Sequence, residues 1–345
     1  GSDKITAGNI ILEGDMEISF GKRVKLDLSS LKSISLFPGQ IVVIKGINSS
    51  GKEINVEKIY QNSYLKQKAI QMNYGNNNNN NDDDDDDTLQ IMVASGPFTT
   101  KKSLDFNNCP LHDFGKLVVE NEPNTVILMG PFTDCDNEMI KTGDINITFD
   151  ELFKHLLSSF IKYIDGHYQK IIIIPSTKDI HHFSAFPQEK YMINNVNNDN
   201  IIFVSNPSEF NINNISFGIC SADFIFNCCK IGLTKNISDR LLSIMSHCID
   251  QQNFYPLQPS TPSLRMDYNK YKHLYIANKL DIFIMPSTLK QFVKIYDKTN
   301  TICINPSFLT KGNSGGTFAK ININKSNNYD INDYSDLIHV DILRI

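Results

Sequence analysis

The 345-residue sequence lacks any apolar run of the ~18 residues needed to cross a bilayer, and it does not begin with the basic and apolar segments of a secretory signal. It also lacks an excess of basic residues, because 33 Lys and Arg stand against 38 Asp and Glu, for a formal net charge of −5. The first absence argues against a membrane protein. The second argues against broad, non-specific binding of nucleic acid, although local basic patches remain compatible with it.

Paired cysteines are also absent. The seven cysteines form an odd set with no paired spacing, which favours a reducing compartment, the cytosol or the nucleus, over a secreted disulfide scaffold. With 41% hydrophobic and 21% charged residues, the composition is that of an ordinary globular protein. The length suits about two domains.

One low-complexity run divides the chain. Asparagines occupy positions 76–81 and aspartates occupy positions 82–87. A block of like charges after a polar tract buries little apolar surface, so we predict a disordered insert over residues 71–88, with an acidic docking segment as the alternative. The insert separates a first domain, residues 1–70, from a second, residues 89–345.

The segment before the insert alternates short β-rich stretches with turn signals. Their even spacing is typical of a small antiparallel barrel; an OB-type barrel fits best, and an SH3-like one stays open. The Leu-Phe-Pro-Gly-Gln sequence at 36–40 predicts a turn that leads into a buried strand at Ile41. The strands carry few aromatic residues that are expected to be exposed, so single-strand binding by this barrel is the weaker expectation. The stretches are 10–12, 24–28, 41–45 and 54–59.

The segment after the insert alternates strands with helices, which indicates a layered α/β architecture. Its apolar runs are continuous rather than alternating, and this predicts strands that are covered on both faces. The predicted strands are 89–94, 126–129, 171–174, 201–204, 215–219, 281–285, 301–304 and 317–323.

Two helices in this segment carry start signals. Thr148 and Glu151 form a capping-box sequence, and the apolar face behind them runs to a stop at Gly166. Ser238 is predicted to cap a second helix, whose Met and Cys residues fall at helical spacing. These sulfur-containing residues predict core packing, not a cofactor site.

The ends of the predicted strands are where a layered α/β enzyme keeps its metal ligands. A two-metal phosphoesterase needs carboxylates and imidazoles that converge from several strand ends, because two cations about 4 Å apart must activate water and hold a phosphate ester. Here those positions carry residues that do not ligate. They are Ser-Gly-Pro at 95–97, Pro131 in place of the bridging carboxylate, Lys178 where a metal would sit, a segment without histidine at 218–223 and Pro-Ser-Thr-Leu at 286–289.

Three carboxylates remain in these segments, namely Asp134, Asp179 and Asp223. They could bind one weak Mg²⁺, but the ligand count favours carboxylates that cap turns or pair with Lys178 or a backbone amide. The adjacent His181 and His182 invite a metal interpretation. Adjacent side chains diverge, however, and no third ligand has zinc-like spacing, so a structural role is predicted.

Two further motifs give no chemistry. The Gly-Asn-Ser-Gly-Gly sequence at 312–316 lacks the Lys-Ser/Thr of a phosphate-binding loop and precedes a strand, which predicts a tight turn. Cys228 and Cys229 lack an adjacent cationic setting that would stabilise a thiolate. We therefore predict no catalytic residue, no metal site and no cofactor.

Eight segments spread over almost the whole chain carry a resemblance to a known family. They are Leu-Phe-Pro-Gly-Gln at 36–40, Ser-Gly-Pro-Phe at 95–98, Leu-Met-Gly-Pro-Phe-Thr-Asp at 128–134, Ile-Pro-Ser-Thr-Lys-Asp-Ile-His-His at 174–182, Ser-Asn-Pro-Ser-Glu-Phe at 205–210, Phe-Tyr-Pro-Leu at 254–257, Asn-Pro-Ser at 305–307 and Gly-Gly-Thr-Phe at 315–318. In number and order they resemble the family of DNA polymerase alpha B subunits. The segments at 36–40 and 205–210 favour alpha over delta and epsilon.

The resemblance implies an OB-fold β-barrel joined to a calcineurin-like phosphoesterase domain, a β-sandwich flanked by helices, whose active site is lost. It implies a non-catalytic accessory subunit of the DNA polymerase alpha–primase complex, located in the nucleus and supporting the initiation of DNA replication. The implied partners are the C-terminal domain of the catalytic subunit and the primase subunits, with DNA contacted indirectly or weakly. It also implies that the chain begins within the OB domain, after the family's helical N-terminal region, so an incomplete barrel is expected.

Two alternatives stay open. One is a residual metal-dependent phosphodiesterase or nuclease, similar to the archaeal polymerase small subunit, that uses Asp134, Asp179 and Asp223. The other is the B subunit of polymerase delta or epsilon, since these proteins share the plan of an inactive phosphoesterase.

Overall fold

The computed structural model describes residues 4–60, 88–193, 199–324 and 337–345. Close contacts divide the chain into two units. The first unit contains residues 4–60, 224–263 and 275–277 of the described chain, and the second unit contains the remainder. The predicted insert at 71–88 lies outside the described residues, except that Thr88 is the first residue of a strand.

The described residues form the following elements. The strands are β1 (Ile11–Glu13), β2 (Arg23–Asp27), β3 (Ile34–Leu36), β4 (Val43–Ile47), β5 (Glu53–Tyr60), β6 (Thr88–Ser95), β7 (Thr125–Met129), β8 (Lys170–Ile174), β9 (Ala185–Phe186), β10 (Ile201–Phe203), β11 (Ser208–Ile212), β12 (Ile215–Ile219), β13 (Leu233–Lys235), β14 (Arg265–Met266), β15 (Ile282–Ile284), β16 (Phe292–Tyr296), β17 (Thr301–Asn305), β18 (Thr310–Lys311), β19 (Ser314–Gly315), β20 (Thr317–Asn324) and β21 (Ile338–Arg344). The α-helices are α1 (Met16–Ser19), α2 (Pro110–Asn121), α3 (Glu138–Thr142), α4 (Phe149–Tyr163), α5 (Phe224–Ile231) and α6 (Arg240–Asp250), and two 3₁₀ helices span Phe106–Asn108 and Tyr268–Leu274. Within the described residues, none of the helices has both the length and the apolar character needed to cross a bilayer.

The first unit contains a four-stranded sheet in the order β1-β2-β5-β4. The outer pairs β1/β2 and β4/β5 are antiparallel, whereas β2 and β5 run parallel, with Leu26 opposite Ile54. The prediction of a wholly antiparallel barrel is therefore wrong at its centre. A parallel neighbour requires a crossover, and the chain through β3 and β4 supplies it. Leu26 and Val56 are buried in the core of this unit.

The turn predicted at residues 36–40 is present, but the strand after it is not buried. Gly39 has a φ of +82° and the Gln40 N–H donates to the Phe37 carbonyl at 3.3 Å. Ile41 is 82% exposed and Val43 is 67% exposed. The prediction of a buried strand at Ile41 is wrong because β4 lies at the edge of its sheet, where only β5 pairs with it.

The helices α5 and α6 and strand β13 belong to the first unit. Strand β13 pairs antiparallel with β3, and the ring of Phe37 meets Phe224 edge-on at 5.8 Å between centroids. Ile41 and Gln251 exchange two hydrogen bonds, of 2.8 and 2.9 Å. Residues 224–263, predicted to lie within the domain at 89–345, instead group with residues 4–60 through their close contacts.

One of the two predicted helix caps is confirmed, and the other prediction is wrong by one residue. The capping box of Thr148 and Glu151 is present at the start of α4. At α6, Asp239 and not Ser238 is the cap, and its carboxylate accepts the Leu242 N–H at 3.2 Å. Asp239 directly precedes the first helical residue, and only that position places a side-chain acceptor over the free amides of the first turn.

The second unit is a sandwich of two sheets flanked by helices. The larger sheet has the order β10-β8-β7-β6-β20-β21, with parallel pairing from β10 to β6 and antiparallel pairing beyond. The smaller sheet has the order β11-β12-β15-β17-β16. Two pairs of short strands, β9 with β14 and β18 with β19, also belong to this unit.

The central strands β6, β7 and β8 of the larger sheet are buried on both faces, as their continuous apolar runs predicted. The same prediction is wrong for β10, which lies at the edge of the sheet and is only half-buried. Along β6, Ile91 and Val93 contribute to the core shared by the two sheets. The alternate residues Met92 and Ala94 contribute to a second core with the apolar faces of α2 and α4. This burial fixes the positions of the strand ends, where the metal ligands of a phosphoesterase would lie.

Candidate functional site

The carboxyl ends of β6, β7 and β8 meet at one edge of the larger sheet, because these neighbouring strands are parallel. Backbone hydrogen bonds continue past the strands. The Gly96 N–H donates to the Met129 carbonyl at 2.7 Å, and the Gly130 N–H donates to the Ile174 carbonyl at 2.8 Å. This edge is where the ligands of a two-metal site would converge.

At two glycines of this edge, Gly96 and Gly130, the chain itself fills the space that a side chain would need. A methyl group at Gly96 would overlap the carbonyl oxygen of Pro131 and stand 2.9 Å from its nitrogen. A methyl group at Gly130 would overlap the Asp179 carboxylate and stand 2.9 Å from the Tyr191 hydroxyl. Neither glycine position therefore has room for a side chain that could ligate a metal.

Asp179 is the most heavily engaged carboxylate of this region, and its side chain is 0% exposed. Its Oδ1 accepts the N–H groups of Phe132 at 2.6 Å and Thr133 at 3.0 Å. Its Oδ2 accepts the Ser176 N–H at 3.1 Å and a short hydrogen bond from the Tyr191 hydroxyl. A carboxylate has about four acceptor sites, so the chain's own donors use all of them.

Two aromatic side chains, Tyr191 and His181, lie beside this carboxylate. Burial, followed by the charge of Asp179, raises the pKa of Tyr191 well above its usual value. The His181 ring stacks on Phe153 with 4.0 Å between centroids, and its Nδ1 lies 2.5 Å from the Thr133 hydroxyl. Burial lowers the pKa of His181, which favours the neutral ring. We call the set Asp179, Thr133, Tyr191, His181 and Phe153 the Asp179 cluster.

The two adjacent histidines have different partners, in agreement with the divergence predicted from their spacing. His182 Nε2 lies 2.9 Å from the Glu189 carbonyl, whereas His181 is bound inside the Asp179 cluster. Their ring centroids are 6.4 Å apart. The pair therefore does not present two nitrogens to one point.

Asp134 lies beside Asp179 through an isolated β-bridge between their backbones. Its Oδ1 accepts the Asp136 N–H at 3.0 Å, and burial raises its pKa. The three carboxylates were predicted to pair with Lys178 or with backbone amides, and all three accept hydrogen bonds from backbone amides. Lys178 instead pairs with Asp136 at 3.3 Å, and Lys141 pairs with the same carboxylate at 2.7 Å.

The side chains of Asp134, Cys135 and Asp136 place donor atoms within 4.8 Å of one another. Their chemistry does not fit a divalent cation. Asp136 already pairs with two ammonium groups, and the Lys141 bond in particular lowers its pKa. Burial raises the pKa of the Cys135 thiol, which disfavours the thiolate that would bind a metal. This group does not replace the ligands missing from the strand ends.

Asp223 binds the loop that follows β15. Its Oδ2 accepts the N–H and the hydroxyl of Thr288, at 2.9 and 3.3 Å. The neighbouring Ser287 N–H donates to Asn305 Oδ1 at 2.8 Å, and Asn305 is fully buried. The Pro-Ser-Thr-Leu segment, where the late histidines would stand, is thus held by hydrogen bonds of its own.

Three residues of this region were not identified as such from the sequence, namely Gln188, Tyr191 and Asn206. Gln188 and Asn206 exchange two backbone hydrogen bonds, of 2.7 and 3.0 Å, and their buried side-chain amides bond at 2.9 Å. Gln188 Nε2 also donates to the Ser176 carbonyl at 3.1 Å. Asn206 precedes a proline within the resemblance segment at 205–210, and this position was the available signal.

The remaining motifs have local roles. Gly312, with a φ of +69°, lies in the turn between β18 and β19, as predicted. Burial raises the pKa of Cys228 far above that of a reactive thiol. Arg240 donates to the Cys229 carbonyl at 2.9 Å, a cationic neighbour that the sequence did not reveal.

The sheet of the first unit carries balanced charge on its surface. A groove of about 280 Å³ lies beside Arg23 and Lys25. Because these cations already pair with carboxylates, the groove has little positive excess for single-strand binding. The surface pairs are Arg23 with Glu13 at 2.9 Å, Lys25 with Glu53 at 3.3 Å and Lys45 with Glu57 at 3.1 Å.

Comparison with known protein families identifies both parts of the chain. A family model for the B subunit of DNA polymerases alpha and epsilon matches residues 91–294, more than half of the chain. A second model, for the OB domain of the DNA polymerase alpha B subunit, matches residues 1–62. The chain therefore belongs to the family of DNA polymerase alpha/epsilon B subunits. With the helix-flanked sandwich described above, the OB-domain match confirms the predicted fold class.

Individual relatives are named as the B subunit of DNA polymerase alpha. The mouse protein is 32% identical over 324 residues, which cover 92% of this chain and 52% of that protein. The Schizosaccharomyces pombe protein is 32% identical over 343 residues, which cover 93% of this chain and 57% of that protein. The resemblance stated from the sequence is confirmed, and the chain spans about half the length of these relatives.

Solved structures whose backbones are similar to this one include two proteins of low sequence identity. Vacuolar protein sorting 29 from Cryptosporidium parvum is 10% identical, with a TM-score of 0.34 over 75% of this chain and 98% of that one. A conserved uncharacterized protein of Streptococcus pneumoniae, described as a predicted phosphoesterase, is 11% identical, with a TM-score of 0.32 over 74% of this chain and 90% of that one.

Proposed function

We propose that the chain is a non-catalytic accessory subunit of the DNA polymerase alpha–primase complex, acting in the nucleus at the initiation of DNA replication. Membership of the B-subunit family supports the assignment. One observation supports the proposal that the subunit is non-catalytic. The acceptor sites of the Asp179 carboxylate are occupied by three backbone amides and the Tyr191 hydroxyl. A carboxylate held in this way fixes loops and has no free oxygen for a metal.

The proposed partner is the C-terminal domain of the polymerase alpha catalytic subunit, with the primase subunits as further members of the complex. DNA is contacted indirectly or weakly in this role. A permanent interface of this kind is typically apolar and buries more than about 2,000 Å² in total.

Co-purification tests the partner. We expect this chain to capture the tagged C-terminal domain of the polymerase alpha catalytic subunit in equimolar amounts, and to retain it through gel filtration. The C-terminal domain of the polymerase delta catalytic subunit, prepared in the same way, is the matched control. Capture of the delta domain without the alpha domain would contradict the assignment and favour the delta alternative.

Hydrolysis assays test the non-catalytic half separately. With Mn²⁺ and a phosphodiester test substrate, we expect no turnover above that of Asp223→Ala or Asp134→Ala, because the strand ends hold too few free ligands for two cations. Elemental analysis of the same samples is expected to show less than one metal per chain. Stoichiometric metal with turnover that either variant abolishes would establish the residual phosphodiesterase instead.

A further inference from the structure

Strand β4 forms one edge of the four-stranded sheet in the first unit. Among the described residues it pairs with β5 alone, with Val43 opposite Tyr60 and Lys45 opposite Lys58. The backbone groups of an edge strand that point away from its neighbour form a row of donors and acceptors, and another strand can pair with that row. The outer side of β4 is such a row.

The chain itself places one amide on this edge, just before β4 begins. The side-chain carboxamide of Gln251 accepts the Ile41 N–H at 2.8 Å and donates to the Ile41 carbonyl at 2.9 Å. Gln251 caps the end of α6, so both backbone groups of Ile41 bind away from β5. A carboxamide has the same donor and acceptor as a peptide group. Its two bonds with one residue are those that a paired antiparallel strand would make.

The direction of the Ile41 groups fixes the direction of the groups that follow. Residues two apart in an extended strand point their N–H and C=O to the same side. Counted from Ile41, the backbone groups of Val43, Lys45 and Ile47 therefore point outward, away from β5. The register shift between Lys45 and Gly46 comes from an extra residue in β5, so β4 itself stays continuous. The outer edge thus offers three residues in a row, each with one donor and one acceptor.

The side chains of β4 give this edge little protection. Val43 is 67% exposed and Ile47 is 59% exposed. Lys45 is the one charged residue of β4, and it already pairs with Glu57 at 3.1 Å. Edge strands are commonly protected from further pairing by free charges, by proline or by very short length. Strand β4 has five residues and no proline, and its exposed side chains are mainly β-branched and apolar.

We propose that β4 binds an extended segment of another polypeptide as an added antiparallel strand. In this mode of recognition the main-chain hydrogen bonds give affinity, and alternate side chains give specificity. Apolar side chains of the segment would lie beside Val43 and Ile47, and a small polar one beside Lys45. A second copy of this chain fits less well, because a stable interface between folded proteins takes about 20 to 30 residues a side, whereas this edge offers three.

This proposal does not rest on the accessory role, and either can fail without the other. The probe is a fluorescently labelled peptide with blocked ends and the sequence Thr-Val-Thr-Thr-Thr-Val-Thr, whose valines would lie opposite Val43 and Ile47. Fluorescence anisotropy follows its binding to the whole chain. We expect saturable binding that added salt leaves unchanged, because the hydrogen bonds join uncharged groups.

Methylation of single amides in the peptide tests the direction of the bonds. In antiparallel pairing the central threonine lies opposite Lys45 and exchanges two hydrogen bonds with it. A methyl group on the nitrogen of that threonine removes the donor, and we expect binding to weaken about tenfold. A methyl group on the nitrogen of the next threonine faces away from β4 and is expected to leave binding unchanged. Equal effects of the two methyl groups would overturn the proposal.

Two variants of the chain test the same edge from the other side. Val43→Pro removes an N–H that points outward, so the pairing with β5 is kept, and we expect the unmethylated peptide to bind about tenfold more weakly. Val43→Thr keeps the N–H and the branched side chain and is expected to bind as the unchanged chain does. Circular dichroism checks that both are folded, and the methylated peptides decide the outcome if Val43→Pro is not.

Three further results would contradict the added strand. They are full binding of the peptide by folded Val43→Pro, absence of binding to the unchanged chain, and a dimer in sedimentation that Val43→Pro dissociates. The last result would assign the edge of β4 to a second copy of the chain.

Discussion

Asp179→Ala is expected to lower the free energy of unfolding by about 3 to 5 kcal/mol. The substitution leaves the buried amides of Phe132, Thr133 and Ser176 without their acceptor, and it also removes the partner of the Tyr191 hydroxyl. Each buried donor left unsatisfied costs about 1 to 3 kcal/mol, and relaxation of the loops recovers part of the sum. Urea unfolding followed by circular dichroism measures the change through the transition midpoint.

Two further variants make this result specific. Asp223→Ala removes a carboxylate with two bonds to Thr288 on a partly exposed loop, and we expect a loss of only about 1 kcal/mol. Asp179→Asn keeps one acceptor oxygen and should fall between the two. An Asp179→Ala variant that is more stable than the unchanged chain would contradict the structural role, because stabilisation on removal is typical of residues kept for chemistry.

Gly96→Ala is expected to destabilise the second unit by about 3 kcal/mol, near the upper end of overpacking effects. The added methyl group would meet the backbone of Pro131, whose nitrogen and carbonyl carbon both lie 2.9 Å from its position. Backbone atoms between two buried strands have no alternative rotamer, so the strand ends themselves would have to move apart. The same urea titration reports the change.

Gly8→Ala is the matched control for this substitution. No atom lies within 4 Å of the methyl group that it would add, and its φ is outside the left-handed region. We expect the stability to stay the same or rise by about 0.5 kcal/mol, because alanine restricts the unfolded chain. If Gly96→Ala behaved like Gly8→Ala, the strand ends would be looser than the structure shows.

The elements that the sequence predicted are those whose signals are local. Strands β6 and β7 were identified because burial on both faces leaves a continuous apolar run. The start of α4 was identified because Thr148 and Glu151 stand three residues apart and complete a capping box within one turn. Local signals of this kind do not depend on knowing the rest of the fold.

The features that the sequence did not reveal depend on partners far along the chain. An aspartate followed by two histidines looks the same whether it ligates a metal or accepts amides. The role of Asp179 is set by where the amides of Phe132 and Thr133 stand, on the loop after another strand. The Gln188–Asn206 pair and the pairing of β3 with β13 are long-range in the same sense.

The division of the chain also has a consequence for the order in which it folds during synthesis. Ile41 and Gln251, which exchange two hydrogen bonds in the first unit, are 210 residues apart in the sequence. A ribosome must therefore complete β6 to β12, seven of the fifteen strands described for the second unit, before α6 and Gln251 exist to meet β3 and Ile41. Residues 4–60 emerge well before α6, so they wait for part of their contacts, and contacts of such long range form slowly.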